Sequence, residues 1–173
     1  MRRMKKSFGA LLALAVLAAL LVTPAGAAEL TVQRVEVLGV PLDLSAYTVY
    51  NEWGFATNYV RLRDVAWALQ FTTDRFDVDF DGSTVITTGA DYQVVGGELT
   101  YPATDGSTVT PYTAVLTVDG VGARKQAMFI TPPGSQDGNF YYKLRDLGEA
   151  IGFDVGWSAE RGIYIDTQSY WPY

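Results

Sequence analysis

Residues 140–157 read FYYKLRDLGEAIGFDVGW, and residues 58–71 read NYVRLRDVAWALQF. Tyr142, Lys143, Leu144, Arg145, Asp146 and Leu147 repeat the pattern of Val60, Arg61, Leu62, Arg63, Asp64 and Val65, so the chain carries one unit twice. Within the first copy Leu62, Val65, Ala66 and Leu69 fall at i, i+3, i+4 and i+7; in the second, Leu144, Leu147 and Ile151 form the same stripe. That period predicts a helix of about three turns lying on a sheet. Arg145, Asp146 and Phe153 each stand 82 residues after their counterparts Arg63, Asp64 and Phe71.

Outward from the motif the period changes to two. Val35 and Val37 alternate with polar residues in a strand over Leu30 to Leu38, Gly39 turns the chain, and Leu42 and Leu44 alternate in a second strand. After the helix, Phe76, Val78 and Phe80 alternate with Asp77, Asp79 and Asp81, Gly82 and Ser83 turn, and Thr84 to Thr88 returns. The second copy has Ala114, Leu116 and Val118 before a turn at Asp119 and Gly120, a returning strand over Ala127 to Thr131, and a polar loop from Pro132 to Asn139. Its last hairpin leads from Gly152 to Trp157 and closes with Ile163, Tyr164 and Ile165. The expected fold is α+β: two strand-strand-helix-strand-strand units, with antiparallel sheets each packed by one short helix. Residues 28–90 form the first repeat, 91–111 connecting strands and turns, and 112–173 the second repeat with an aromatic C-terminus.

Residues 1–27 have the three parts of a secretory signal. Arg2, Arg3, Lys5 and Lys6 are basic, Phe8 to Val22 is almost wholly apolar, and Ala25, Gly26 and Ala27 supply a cleavage site. The apolar run is short for a spanning helix and ends at Pro24, so no stable membrane insertion is expected after cleavage. Removing these residues leaves nine basic against 19 acidic residues, a net of −10. Such a chain repels nucleic acid and anionic lipid. Cysteine does not occur, which excludes attachment through a lipidated cysteine and any disulfide. The expected location is extracytoplasmic: secreted, with cell-wall association open.

The two motif segments, each followed by a strand ending in Thr (VITT and YIDT), resemble the copper amine oxidase N-terminal-like domain, or stalk domain, of secreted and surface proteins of bacteria. The likeness covers nearly all of the chain beyond the signal. It is closest in the second copy, where KLRDLGEAIGFDVGW runs unbroken; the first has Asp79 and Phe80 where the second has Gly156 and Trp157. The resemblance implies a non-catalytic, extracytoplasmic α+β module and does not imply copper chemistry.

The residues restrict the chemistry independently. Histidine and cysteine are both absent, so a histidine-ligated copper centre and the Cys-His or Ser-His-Asp nucleophile arrangements are excluded. No enzyme activity, no metal and no cofactor are expected. Asp77, Asp79, Asp81 and Gly82 spell the opening of a calcium loop, but Thr88 stands where a bidentate Glu belongs, and strand alternation places the three acids along one face. The Arg63–Asp64 and Arg145–Asp146 pairs, with Leu62 and Leu144, read as a repeated structural contact at the helix and sheet junction. Tyr50, Trp53 and Phe55 on a lengthened loop, and Trp171 and Tyr173 at the C-terminus, are the candidate ligand-binding residues. The expected function is a non-catalytic binding or scaffolding module at the bacterial cell envelope, its partner an envelope protein. The alternative is a carbohydrate-binding protein that stacks a cell-wall or extracellular glycan on exposed aromatics.

Overall fold

Alternating apolar residues make strands of most of this chain, and their pairing departs from the sequence expectation. The computed structural model describes residues 28–100, 107–134 and 136–170. The first copy contributes β1 (Ala28–Val37), β2 (Val40–Tyr50), β3 (Ala56–Arg61), α1 (Leu62–Leu69), β4 (Phe76–Phe80) and β5 (Thr84–Thr88). The second contributes β6 (Thr108–Val118), β7 (Val121–Thr131), β8 (Asn139–Tyr142), α2 (Leu144–Ile151), β9 (Asp154–Ser158) and β10 (Gly162–Asp166). The residues 1–27 expected to form a signal, and Trp171 and Tyr173, lie outside the described residues.

The expected α+β fold, two units with antiparallel sheets each packed by its own helix, is overturned: the described chain is mostly strand, with only two short helices. All ten strands belong to one mixed sheet in the order β4-β5-β6-β7-β8-β3-β2-β1-β10-β9. Each copy's terminal hairpin is hydrogen-bonded to the other copy. β5 runs parallel to β6, with Thr84 opposite Leu116 and Ile86 opposite Val118, and β10 runs parallel to β1, with Val37 opposite Ile165. The other ladders are antiparallel, and the copies also meet at the centre, where Val60 pairs with Tyr142. Those two residues are 82 apart, the spacing of the repeat, so a pseudo-two-fold axis passes between β3 and β8. Alternation specifies which side of a strand is buried but not which strand lies beside it.

The unit also has one strand more than its pattern suggested. β3 and β8 run straight into the helices with no turn residue between, so the change of period hides them. Gly152, at φ +105°, ends α2 in the left-handed region that glycine adopts without strain. In α1 the equivalent step is taken by Gln70, and Thr72 Oγ1 donates to the Leu69 carbonyl at 2.9 Å.

The helices are only eight residues long, about 12 Å. Yet α1 touches β2, β3 and β8 as well as β4, which lies five strands from β3. On a flat sheet that separation is roughly 24 Å, so the sheet curls around the helix. α2 likewise joins β6 and β7 to β9. The hollow is filled from both copies: Val35, Leu44, Val65, Leu69, Phe76 and Ile86 join Leu116, Tyr142, Leu147, Phe153 and Ile165 in one buried cluster. Beyond β4 and β10 the chain nearly closes the curl. Thr72 bridges Ser169, the Tyr170 N–H donates to the Phe71 carbonyl at 2.8 Å, and the Arg75 guanidinium lies 3.5 Å from the Tyr170 ring centre.

A second, smaller cluster covers the opposite face at the sheet's centre. It comprises Tyr47, Tyr59, Ile130 and Tyr141, with Tyr47 and Tyr141 edge to face at 5.0 Å. This explains five consecutive buried residues in β2, Leu44 to Thr48, where a one-sided sheet would alternate. The connecting segment reaches this region at Thr100, whose carbonyl accepts from Ser45 Oγ at 2.8 Å.

Asp64 ties these layers together. It is fully buried, accepts the Ser45 N–H of β2 at 3.0 Å and the Leu99 N–H of the connecting segment at 3.2 Å, and is paired with Arg61. Replacing it by Ala strips the partner from a half-buried guanidinium and from two backbone donors. Asp64→Ala should therefore lose about 3–5 kcal/mol in denaturant unfolding; a loss below about 1 kcal/mol would contradict this role.

The buried tyrosines set an alkaline limit. Burial raises Tyr142 from 10.0 to about 12; burial, then the 2.7 Å hydrogen bond to Glu98, does the same to Tyr92; and burial raises Tyr141 as well. The folded state thus holds these phenolic protons more tightly than the unfolded chain. Their contribution is complete below pH 10 and is lost as pH rises toward 12. The melting temperature should fall across that window, and a melting temperature level to pH 12 would refute the assignment.

Candidate functional site

The inward row of each central strand continues past the core, and there the copies diverge. In the first copy the row runs from Val60 to Asn58 on β3 and from Ala46 to Thr48 on β2. In the second it runs from Tyr142 to Phe140 on β8 and from Ala127 to Phe129 on β7. Antiparallel registers make these positions equivalent: Thr48 opposes Asn58 and Phe129 opposes Phe140. One end of the sheet therefore carries hydrogen-bonding side chains where the other carries aromatic rings.

Each end opens into a groove. The first, about 360 Å³, is lined by Arg61, Leu62 and Arg63 at the start of α1, by Val78 and Phe80 of β4, and by the β7–β8 side of the second copy. The second, about 490 Å³, is lined by Lys143, Leu144 and Arg145 at the start of α2, by Val155 and Trp157 of β9, by Ile163, and by β1 and β3 of the first copy. The grooves are related by the pseudo-two-fold, and each is composite, taking its helix start and hairpin from one repeat and its strand wall from the other. Phe80 and Trp157 occupy equivalent rim positions and are 63% and 64% exposed.

The first groove is partly filled by its own wall. The Phe129 and Phe140 rings pack at a tilt, 4.9 Å between centres, and Tyr112 lies 5.4 Å from Phe140. Gly138 fits there because a Cβ would come within 2.7 Å of the Phe129 ring. The second groove is wider and polar on the same wall. Thr48 Oγ1 donates to Asn58 Oδ1 at 2.8 Å, Asn58 Nδ2 donates to Gln33 Oε1 at 2.7 Å, and Gln33 Nε2 donates to the Arg34 carbonyl at 3.1 Å. This chain of bonds holds both amide planes in place, and each amide keeps one N–H and one lone pair free of it. Val60, Leu144, Val155 and Ile163 supply apolar surface, while Lys143, Arg145 and Asp146 give a local balance of +1 within an acidic chain. Gly156 leaves room for the Tyr164 ring behind β9, since a Cβ would lie 2.2 Å from it.

The loop between β2 and β3 precedes the groove-lining residues Ala56 and Thr57. Asn51 organises it, its Oδ1 accepting the Trp53 and Phe55 N–H groups at 3.0 and 2.9 Å. Trp53 and Phe55 are thereby presented to solvent, 74% and 70% exposed, while the Tyr50 hydroxyl donates to Glu29 at 3.3 Å.

The motif residues separate between the copies. Leu62 and Leu144 are buried as expected. Asp64 does hold the junction, but its partner is Arg61, and Arg63 faces Tyr92 and the first groove. Arg145 is exposed and Asp146 half-buried, both in the second groove, so this pair does not repeat the Asp64 network. The acids of the suspected calcium loop are occupied locally. Asp77 accepts the Gln93 N–H, Asp79 the Phe80 N–H, and Asp81 the Ser83 hydroxyl. Among the described residues they do not converge on a metal-sized site. Trp157, Asn58 and Gln33 were missed as candidates; the signal that marks them is the contrast with the equivalent residues of the other copy.

No protein-family model, curated protein or solved structure matches this chain.

Because Arg145 and Trp157 are exposed and unburdened by core contacts, Arg145→Ala and Trp157→Ala should each change unfolding free energy by less than about 0.5 kcal/mol. A loss above about 2 kcal/mol in either variant would assign the groove to stability instead of binding.

Proposed function

We propose that this chain is a non-catalytic, extracytoplasmic binding module that acts at the cell envelope and seats its ligand in the Trp157 groove. The observation that carries the reading is the asymmetry of two otherwise equivalent grooves. One is packed with its own aromatic rings, while the other keeps an exposed tryptophan beside oriented amides with unused hydrogen-bonding capacity. A pre-formed concave site with an apolar lining and a few placed polar groups is the ordinary form of a ligand site.

Catalysis finds little to work with there. The Trp157 groove has one carboxylate in its lining, Asp146, whereas hydrolysis of a glycosidic bond by paired carboxylates needs two. The first groove has Asp79 and Asp137, both exposed. The extracytoplasmic location rests on the signal-like residues 1–27, and the envelope setting on the stalk-domain resemblance. No described helix is long and apolar enough to cross a membrane.

Residues 28–173 should be retained on isolated cell envelopes, and Trp157→Ala should lower retention at least about tenfold while Phe80→Ala, at the equivalent rim, leaves it unchanged. Equal retention of both variants and the parent would remove the groove from the account.

A further inference from the structure

We infer that the ligand of the Trp157 groove is a glycan chain of N-acetylated amino sugars, seated with one ring on the Trp157 indole. This rests on the binding-module reading above and narrows it to one ligand class.

Three features of the groove select that chemistry together. Trp157 is mostly exposed on the rim, so the flat apolar face of its indole is available to the C–H side of a pyranose. Facing it across the groove, Asn58 and Gln33 are fixed by the chain of bonds from Thr48 Oγ1 to the Arg34 carbonyl. Each amide retains one donor and one acceptor, which matches a sugar hydroxyl or the N–H and C=O of an acetamido group. Because these amides are already oriented, little rotamer entropy is lost when they bind. Between rim and wall, Val155, Ile163 and Leu144 give the acetamido methyl an apolar bed.

The first groove supplies the internal comparison. Phe140 stands where Asn58 does, Phe129 where Thr48 does, and Phe80 where Trp157 does. It has an aromatic rim, and its own lining amides, Gln136 and Asn139, are exposed where Asn58 and Gln33 are half-buried, so aromatic exposure alone does not distinguish the two sites. A bound peptide strand would draw mainly on a free sheet edge, and β4 offers such an edge beside the first groove as β9 does beside the second. What sets the second groove apart is a pair of half-buried amides fixed in one chain of bonds, which favours the sugar.

The test uses residues 28–173 with three probes: a β-1,4-linked hexamer of N-acetylglucosamine, intact cell envelopes, and envelopes stripped of protein by protease. The hexamer should bind in calorimetry and displace the protein from stripped envelopes. Trp157→Ala should weaken hexamer binding at least about tenfold, Trp157→Phe should restore part of it, and Phe80→Ala should leave it intact. Asn58→Ala should weaken binding several-fold, with its melting curve recorded to separate loss of the amide from loss of fold. Trp157-dependent retention on intact envelopes that disappears on stripping, with no hexamer binding, would overturn the glycan assignment and leave a protein ligand for the same groove. No retention on either envelope preparation would overturn both this assignment and the binding-module reading.

Discussion

The rest of the structure depends on two parallel pairings, β10 beside β1 and β5 beside β6. A two-stranded hairpin is marginal in water alone and leaves a row of unpaired backbone groups on each edge. Here each terminal hairpin gains its third strand from the other repeat, while its own repeat's helix packs against it. Val37 opposite Ile165 and Ile86 opposite Val118 are equivalent contacts in the two halves, so the exchange obeys the same pseudo-symmetry as the central Val60–Tyr142 pair. Neither repeat has a complete sheet without the other, which explains why one buried cluster runs through both.

That exchange also makes the grooves. A helix start meets its own hairpin on one side and the other repeat's central strands on the other, leaving a concave seam at each end. Duplication then permits division of labour. The Asp64 network locks the first copy's junction, whereas the equivalent Asp146 and the neighbouring Arg145 stand in the second groove. The tilted Phe129–Phe140 pair narrows one seam, and the Thr48–Asn58–Gln33 chain leaves the other open and polar. Both seams share a frame, so differences between them trace to a few substitutions.

Local features were legible in the sequence. The helices beginning at Leu62 and Leu144, the strands on either side of Gly39 and the hairpin from Phe76 to Thr88 follow from apolar period and turn residues, which depend on near neighbours. Strand partnership did not follow, because the alternation of Thr84 to Thr88 is equally compatible with a neighbour in either copy. β3 was obscured because Tyr59 and Val60 pass into the Leu62 stripe without a break. At the site, the sequence drew attention to Trp53 and Phe55, which the structure presents on an ordered loop, but not to Asn58 or Gln33. An amide in a strand gains meaning only when its neighbours across the sheet are known. The mismatch between Phe80 and Trp157 was visible, yet its place on a groove rim required the fold.

The exchanged hairpins can be tested directly, because the chain contains no cysteine to interfere. Glu36 and Tyr164 are partners across β1 and β10, and Thr117 is the second copy's equivalent of Glu36. Adjacent strand partners lie within disulfide range, whereas residues several strands apart do not. The measurement is intramolecular cross-linking under mild oxidation, read as a mobility shift of the monomer on a non-reducing gel. Glu36→Cys with Tyr164→Cys should cross-link nearly completely, and Thr117→Cys with Tyr164→Cys should not. The reverse result would mean that each hairpin pairs within its own repeat, contradicting the single exchanged sheet on which both grooves depend.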